Sequence, residues 1–196
     1  AYSLAISSSG GTGTKTYTLT GTLQSGLTID SSTGTISGTP TEVTDKSVTV
    51  TVADQASATA TTSSFTISIA KASQSITFGS LSNKTLGTGT FTVSATASSG
   101  LTVAFTSATT SVCTVSTATV TLVTAGTCTI NANQAGNSYY NAATQVQQSF
   151  TVAATLAITT PNSGLSGTYN SAYSLAISSS GGTGTKTYTL TGTLQS

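Results

Sequence analysis

Apolar and polar residues alternate with a period of two along most of this chain. In "SVTVTV", Val48, Val50 and Val52 share one face while Thr49 and Thr51 share the other, and in "SFTISI", Phe65, Ile67 and Ile69 do the same. "SITF", "TFTVSAT", "LTVAF", "ATVTL" and "CTINA" continue the pattern between short breaks rich in Gly, Ser and Asn. No segment has helical spacing. Many short strands at intervals of roughly 8–12 residues, with turn signals between them, predict an all-β chain of Ig-like antiparallel β-sandwiches.

The opening stretch, "AYSLAISSSGGTGTKTYTLTGTLQS", predicts a strand carrying Tyr2, Leu4 and Ile6, a Gly-rich turn, and a second strand with Lys15, Tyr17 and Leu19 on one side. The same 25 residues recur as 172–196, an offset of 171. This identity predicts a tandem array of which the 196 residues are one stretch. The character of the chain changes near "AKASQS" (70–75). Before it lie all four acids, Asp30, Glu42, Asp45 and Asp54; after it come both cysteines and all of the asparagines. A second change falls near "FTVAATLAITTPNSG". The expected organisation is a first module at 1–71 lacking its first strand, a second at 72–154, and the beginning of another first-type module at 155–196. The missing strand has its equivalent at Leu156–Thr159. With residues 155–171 placed ahead of each opening stretch, the two module types run to about 88 and 83 residues, sizes suited to a small sandwich.

Composition sharpens this picture. Charged residues are 5% of the chain, against roughly 25% in ordinary soluble domains. Serine and threonine make up roughly two-fifths. Polar low-complexity chains often fail to fold, but here the hydrophobic fraction is 36% and its residues alternate with β-branched threonine, which favours strands. Net charge is +1 with no basic–aromatic clustering, so nucleic acid is not an expected partner. No apolar run approaches the ~20 residues that span a bilayer, so this segment is not expected to insert in a membrane.

"SGLTIDSSTGTISGTPTEV" (25–43) resembles the "Putative Ig", cadherin-like repeats of large bacterial surface proteins, whose core reads GL-x-hydrophobic-D-x-x-TG-x-I-x-GTP. Leu27, Ile29 and Ile36 would enter the core, Asp30–Gly34 would form a hairpin turn, and Gly38-Thr39-Pro40 would end the return strand. The family often has a proline just before the Gly-Leu pair; Gln24-Ser25 stands there instead. "TSATTSVCTVSTATVTLVTAGTCTINANQAGNSYYNAATQVQQSFTV" (106–152) resembles the bacterial Ig-like repeats of invasin and intimin type. In many of those relatives small residues occupy the positions of Cys113 and Cys128. The resemblance implies a spacer or extender, or the body of a filament, in a large extracellular protein or adhesin at a bacterial surface. Each module is expected to add very roughly 35–40 Å, since a ten-residue strand spans ~33 Å. The rival expectation is a module that binds a glycan or a host protein. The expected partners are neighbouring copies of the same repeat, including head-to-tail self-assembly in which the strand at 155–171 completes a neighbour's first module.

The candidate chemistry is sparse. Cys113 shares a face with Val115, and Cys128 with Ile130, so both should point into one core. A disulfide is expected, closing a 15-residue loop worth about 3 kcal/mol and implying an oxidising compartment; the alternative is two buried free thiols. Two thiolates without any histidine cannot complete a zinc shell. The cadherin-like resemblance raises calcium, for which Asp54, at an apparent strand end in "TVADQAS", is the weak candidate beside turn capping. No cofactor is expected. The absence of histidine removes a Ser-His-Asp triad, and a Glu42–Asp45 pair would need a concave substrate site, so no enzyme is expected. "SSSGGTGTKT" lacks phosphate-loop spacing and a following helix, and reads as a hairpin turn. The threonine ladders raise ice binding, which needs flatter sheets than sandwiches provide. An isopeptide staple from Lys15, Lys46, Lys71 or Lys84 to an asparagine such as Asn162 or Asn170 would need a buried acid alongside. "NKT" at 83–85 fits a glycosylation sequon or a polar turn, and Tyr139-Tyr140 a sugar-stacking platform or the end of a core.

Overall fold

A computed structural model describes residues 1–158, 167, 171–172 and 174–189. The expected strand residue Thr159, Asn162 and Asn170 lie outside these. Every regular element among the described residues is a β-strand, and the chain divides into two compact units: 1–74 with 135–142, and 75–134 with 143–196.

In the first unit, β1 (Tyr2–Ala5), β3 (Leu27–Ile29) and β4 (Thr35–Gly38) form a sheet in the order β1-β4-β3, with β2 (Lys15–Thr20) intervening in sequence. The facing sheet runs β2-β5-β6, where β5 is Asp45–Asp54 and β6 is Thr59–Thr61; β7 (Phe65–Ser68) also pairs with β5. All pairings between these strands are antiparallel. The ten-residue β5 takes two partners because its lower half matches β7 (Asp45↔Ser68 through Val48↔Phe65) and its upper half β6 (Thr51↔Thr61 through Ala53↔Thr59). Thr62 bridges the junction: its N–H donates to Val50 O and its hydroxyl accepts from Val50 N–H. The period-two residues make the core, with Tyr17, Leu27, Ile36, Val48, Val50 and Ile67 buried.

The second unit repeats this plan and adds strands at its front. Its strands are β8 (Ile76–Phe78), β9 (Lys84–Thr85), β10 (Thr90–Thr92), β11 (Ala95–Ala97), β12 (Ala104–Ser107), β13 (Cys113–Ser116), β14 (Thr119–Leu122), β15 (Gly126–Asn133) and β16 (Val146–Ala153). One sheet is β10-β14-β13, another is β12-β15-β16-β9, and β11 pairs with β8 in a separate two-stranded sheet. The contact of β9 with β16 is parallel, Val152↔Lys84 and Ala153↔Thr85. "TFTVSAT", read from its alternation as one strand, is two: β10 pairs with β14 and β11 with β8, with a break at Val93-Ser94. Two further short strands, β17 (Ala157–Ile158) and β18 (Ser179–Ser180), pair antiparallel. Ile130, Ala132, Val120, Phe150 and Val152 centre the core. Phe91 meets Phe150 edge-on at 5.5 Å between ring centroids, and Lys84 Nζ lies 4.9 Å from the Phe91 centroid.

Candidate functional site

Asp54 ends β5, facing the Gly-rich loop between β1 and β2. Its Oδ2 accepts from Thr12 N–H at 2.8 Å and its Oδ1 from Ala58 N–H at 2.8 Å. These backbone dipoles, Thr12 first and then Ala58, hold its carboxyl below the usual carboxylate range. Calcium takes six to eight oxygens. Both Asp54 oxygens are already engaged by N–H groups, and no three His, Cys, Asp or Glu side chains converge among the described residues. The residues present do not fit the ion, and Asp54 acts as the anchor of the loop. The N–H that the "GGTGTKT" loop presents, that of Thr12, is thus taken up by a carboxylate of β5.

The Asp30 hairpin works the same way. Its Oδ1 accepts from the Ser32 hydroxyl and from the Ser32 and Thr33 N–H groups, which lowers its pKa in that order. The register of β3 on β4 sets Leu27 opposite Gly38, bringing two glycines together. Gly26 and Gly38 both have positive φ (85° and 141°), and a Cβ on Gly38 would strike the carbonyl of Gly26. The first and last glycines of the GL…GTP pattern are thus one close backbone crossing. Gln24 explains the departure beside it. It is 1% exposed, and its Nε2 donates to Thr44 O at 2.9 Å and to Ile67 O at 2.7 Å, tying the loop to the β7 edge. Ser25 N–H donates to Glu42 Oε1 at 2.9 Å, a bond that a proline there would remove. The alternation pattern alone did not single out Gln24 as buried; an uncharged side chain with an amide donor, placed between two strands, was the only available signal.

Cys113 and Cys128 form a disulfide with Cα atoms 5.7 Å apart, both fully buried. It joins β13 to β15, which belong to different sheets, so it crosses the sandwich. Ser107 Oγ and Thr109 Oγ1 lie 3.4 and 3.6 Å from Cys113 Sγ.

The remaining candidates have ordinary partners. Glu42 lies 3.6 Å from Lys46 as well as accepting from Ser25, and Asp45 is exposed at the start of β5. Lys15 Nζ donates to Ser8 O, and Lys84 sits over Phe91; Lys71 is exposed. Asn83 Oδ1 accepts from Thr151 N–H at 2.8 Å, so the sequon asparagine bonds β16. Within the first unit, Asn137 Oδ1 accepts from the N–H groups of Tyr139 and Tyr140, and Tyr140 bridges to Ala72 in parallel. Tyr139, half exposed, lines a cleft of about 460 Å³ with Pro40, Glu42, Ile69 and Tyr140.

No curated protein matches the chain. Among solved structures it is similar to human protocadherin-24 EC1-2 (14% identity over 71% of this chain and 82% of that one, TM-score 0.36). A second is a C-terminal 282-residue fragment of intimin in complex with the translocated intimin receptor's intimin-binding domain (18%, 81% and 59%, TM-score 0.30). A third is Drosophila OTK, extracellular domains 3–5 (14%, 78% and 58%, TM-score 0.29). The family model described as "Putative Ig domain" matches residues 1–70, the span that carries the glycine crossing and both sheets of the first unit. The chain is all-β and Ig-like among the described residues, and residues 1–70 match the family model described as "Putative Ig domain".

Proposed function

We propose that the chain is a structural repeat, a spacer or filament body, of a large extracellular bacterial surface protein. The observation that carries this reading is the exact recurrence of residues 1–25 at 172–196, which makes the two-module unit a period of 171 residues. The disulfide, the "Putative Ig" match and the hydroxyl-rich, nearly uncharged composition support an extracellular setting. The mechanism is the fold itself: sandwiches stabilised by their own cores set a fixed distance between whatever lies at either end. Small-angle scattering from chains of one, two and three 171-residue units tests it. The maximum dimension should grow by a constant increment per unit, and failure to grow would sink the reading. The exposed Tyr139 ring in its cleft favours one rival, a glycan-binding module. Retention of the single unit on a glycan array, lost in Tyr139→Ala, would support that rival instead.

A further inference from the structure

The chain enters the second module through β8 and β9 and leaves it through β16. Between Phe78 and Leu86 the entering segment runs beside β16 in the same direction, and β9 on β16 is the one parallel ladder among the described residues. Four further hydrogen bonds follow the same order along both segments. Gln148 Nε2 donates to Phe78 O at 2.9 Å, and Thr151 N–H to Asn83 Oδ1 at 2.8 Å. Leu86 N–H donates to Ala153 O at 2.8 Å, and Thr155 Oγ1 to Leu86 O at 2.7 Å. Three of the four use a side chain, and together they extend the short ladder at both ends. We propose that this stitched parallel pair bears the tension when the second module is pulled by its ends, with the Cys113–Cys128 disulfide as a stop behind it.

Strand direction decides how the contact is loaded. A pull on the entering chain draws β9 backward along its axis, and a pull on the leaving chain draws β16 forward. In a parallel pair these pulls oppose each other along the ladder, so its bonds are strained together in shear. A hairpin pulled from its two open ends loses its bonds one at a time instead. Packing holds both sides of the contact: Lys84 sits over the Phe91 ring, and Val152 is buried in the core. Once the pair parts, the load passes through the disulfide, from Cys113 on β13 to Cys128 on β15, and the chain between them, β14 included, stays slack. That removes a separation of 15 residues from the path, roughly 50 Å of extended chain. Both sulfurs are fully buried, so the stop is shielded until the module opens. This role rests on the spacer reading, since only a chain held at both ends is put under tension.

Force spectroscopy on the full 196-residue chain, held at Ala1 and Ser196, tests both parts. The second module's event is the one whose released length grows by roughly 50 Å when Cys113 and Cys128 are both replaced by alanine; no such growth in any event overturns the stop. Asn83→Ala, Gln148→Ala and Thr155→Ala together should shorten that module's lifetime under constant force by about tenfold or more, through the loss of three hydrogen bonds. Asn83→Ala alone should shorten it less, in the same sense, and serves if the triple variant does not fold. Val115→Ala trims the core on β13, inside the disulfide loop and off the path of the load. It should lower the urea midpoint and leave the lifetime nearly unchanged. Unchanged lifetimes in the Asn83 variants, or a larger shortening in Val115→Ala, overturn the clamp. The spacer reading fails separately: constant growth in the scattering series with unchanged lifetimes refutes the clamp alone, and shortened lifetimes without that growth refute the spacer alone.

Discussion

Residues 1–25 and 172–196 are the same sequence in two environments. In the first copy, Lys15–Thr20 form β2, paired along β5, and Tyr17 is 8% exposed. In the second, residues 185–189 are not in a strand and Tyr188 is 53% exposed, with Leu175 and Ile177 exposed too. The turn between them is nearly identical in both. Ser8 Oγ meets Tyr17 OH at 2.8 Å, and Ser179 Oγ meets Tyr188 OH at 2.8 Å. Lys15 Nζ donates to Ser8 O at 3.5 Å, and Lys186 Nζ to Ser179 O at 3.3 Å. The loop glycines keep positive φ in both copies: 71°, 80° and 71° against 71°, 66° and 80°. The loop is a local property of its residues, whereas β1 and β2 draw their ladder hydrogen bonds from β4 and β5.

The comparison can be broken from the partner side. Ile36, fully buried on β4 opposite Leu4, is the strongest lever. Ile36→Ala should cost the first module about 2–5 kcal/mol. Residue-resolved amide exchange should then show residues 15–20 losing protection toward the level of 186–189, while the Ser8–Tyr17 turn persists. Replacing both Cys113 and Cys128 by alanine should cost about 3 kcal/mol in urea unfolding, confined to the second module. Protection of β1 and β2 should be unchanged; its loss would show that the modules do not fold independently.

Gly38→Ala should cost about 1–3 kcal/mol through its positive φ and the collision with Gly26 O, read as a lower melting midpoint for the first module alone. The smallest effect comes from acid. Asp54 and Asp30 have folded-state pKa values below the ordinary 3.8. Their contribution is therefore in place above pH 3.8 and disappears as the pH falls through the depressed values. Thr12 N–H exchange should accelerate in that window, as it should at neutral pH in Asp54→Asn. No acid follows Asp54 in the sequence, so the loop at 179–188, held instead by Gly182 N–H on Ala154 O, should show no such transition.

Much of the strand content was legible because alternation reports burial directly. Val48 and Val50 of β5, Ile67 of β7 and Ile130 of β15 are all buried where the pattern places them. The Asp30 turn was legible for the same local reason, since Asx geometry needs only neighbouring residues. Other features depended on distant segments. The division of "TFTVSAT" into β10 and β11 reflects two partners on different strands, which alternation cannot distinguish. The burial of Gln24 depends on two carbonyls 20 and 43 residues away. The role of Asp54 as loop anchor depends on Thr12, 42 residues before it.

The sequence by itself determined the period-two faces and the glycine-shaped turns, because these rest on backbone preference among near neighbours, and the 171-residue period, because it is an identity between two stretches of the chain. Tertiary structure decided which of those faces became strands. A strand's hydrogen bonds and half of its packing belong to another segment, so Tyr2–Ala5 and Lys15–Thr20 are strands where β4 and β5 meet them, whereas among the described residues of the second copy Ser179–Ser180 is the strand, paired with Ala157–Ile158.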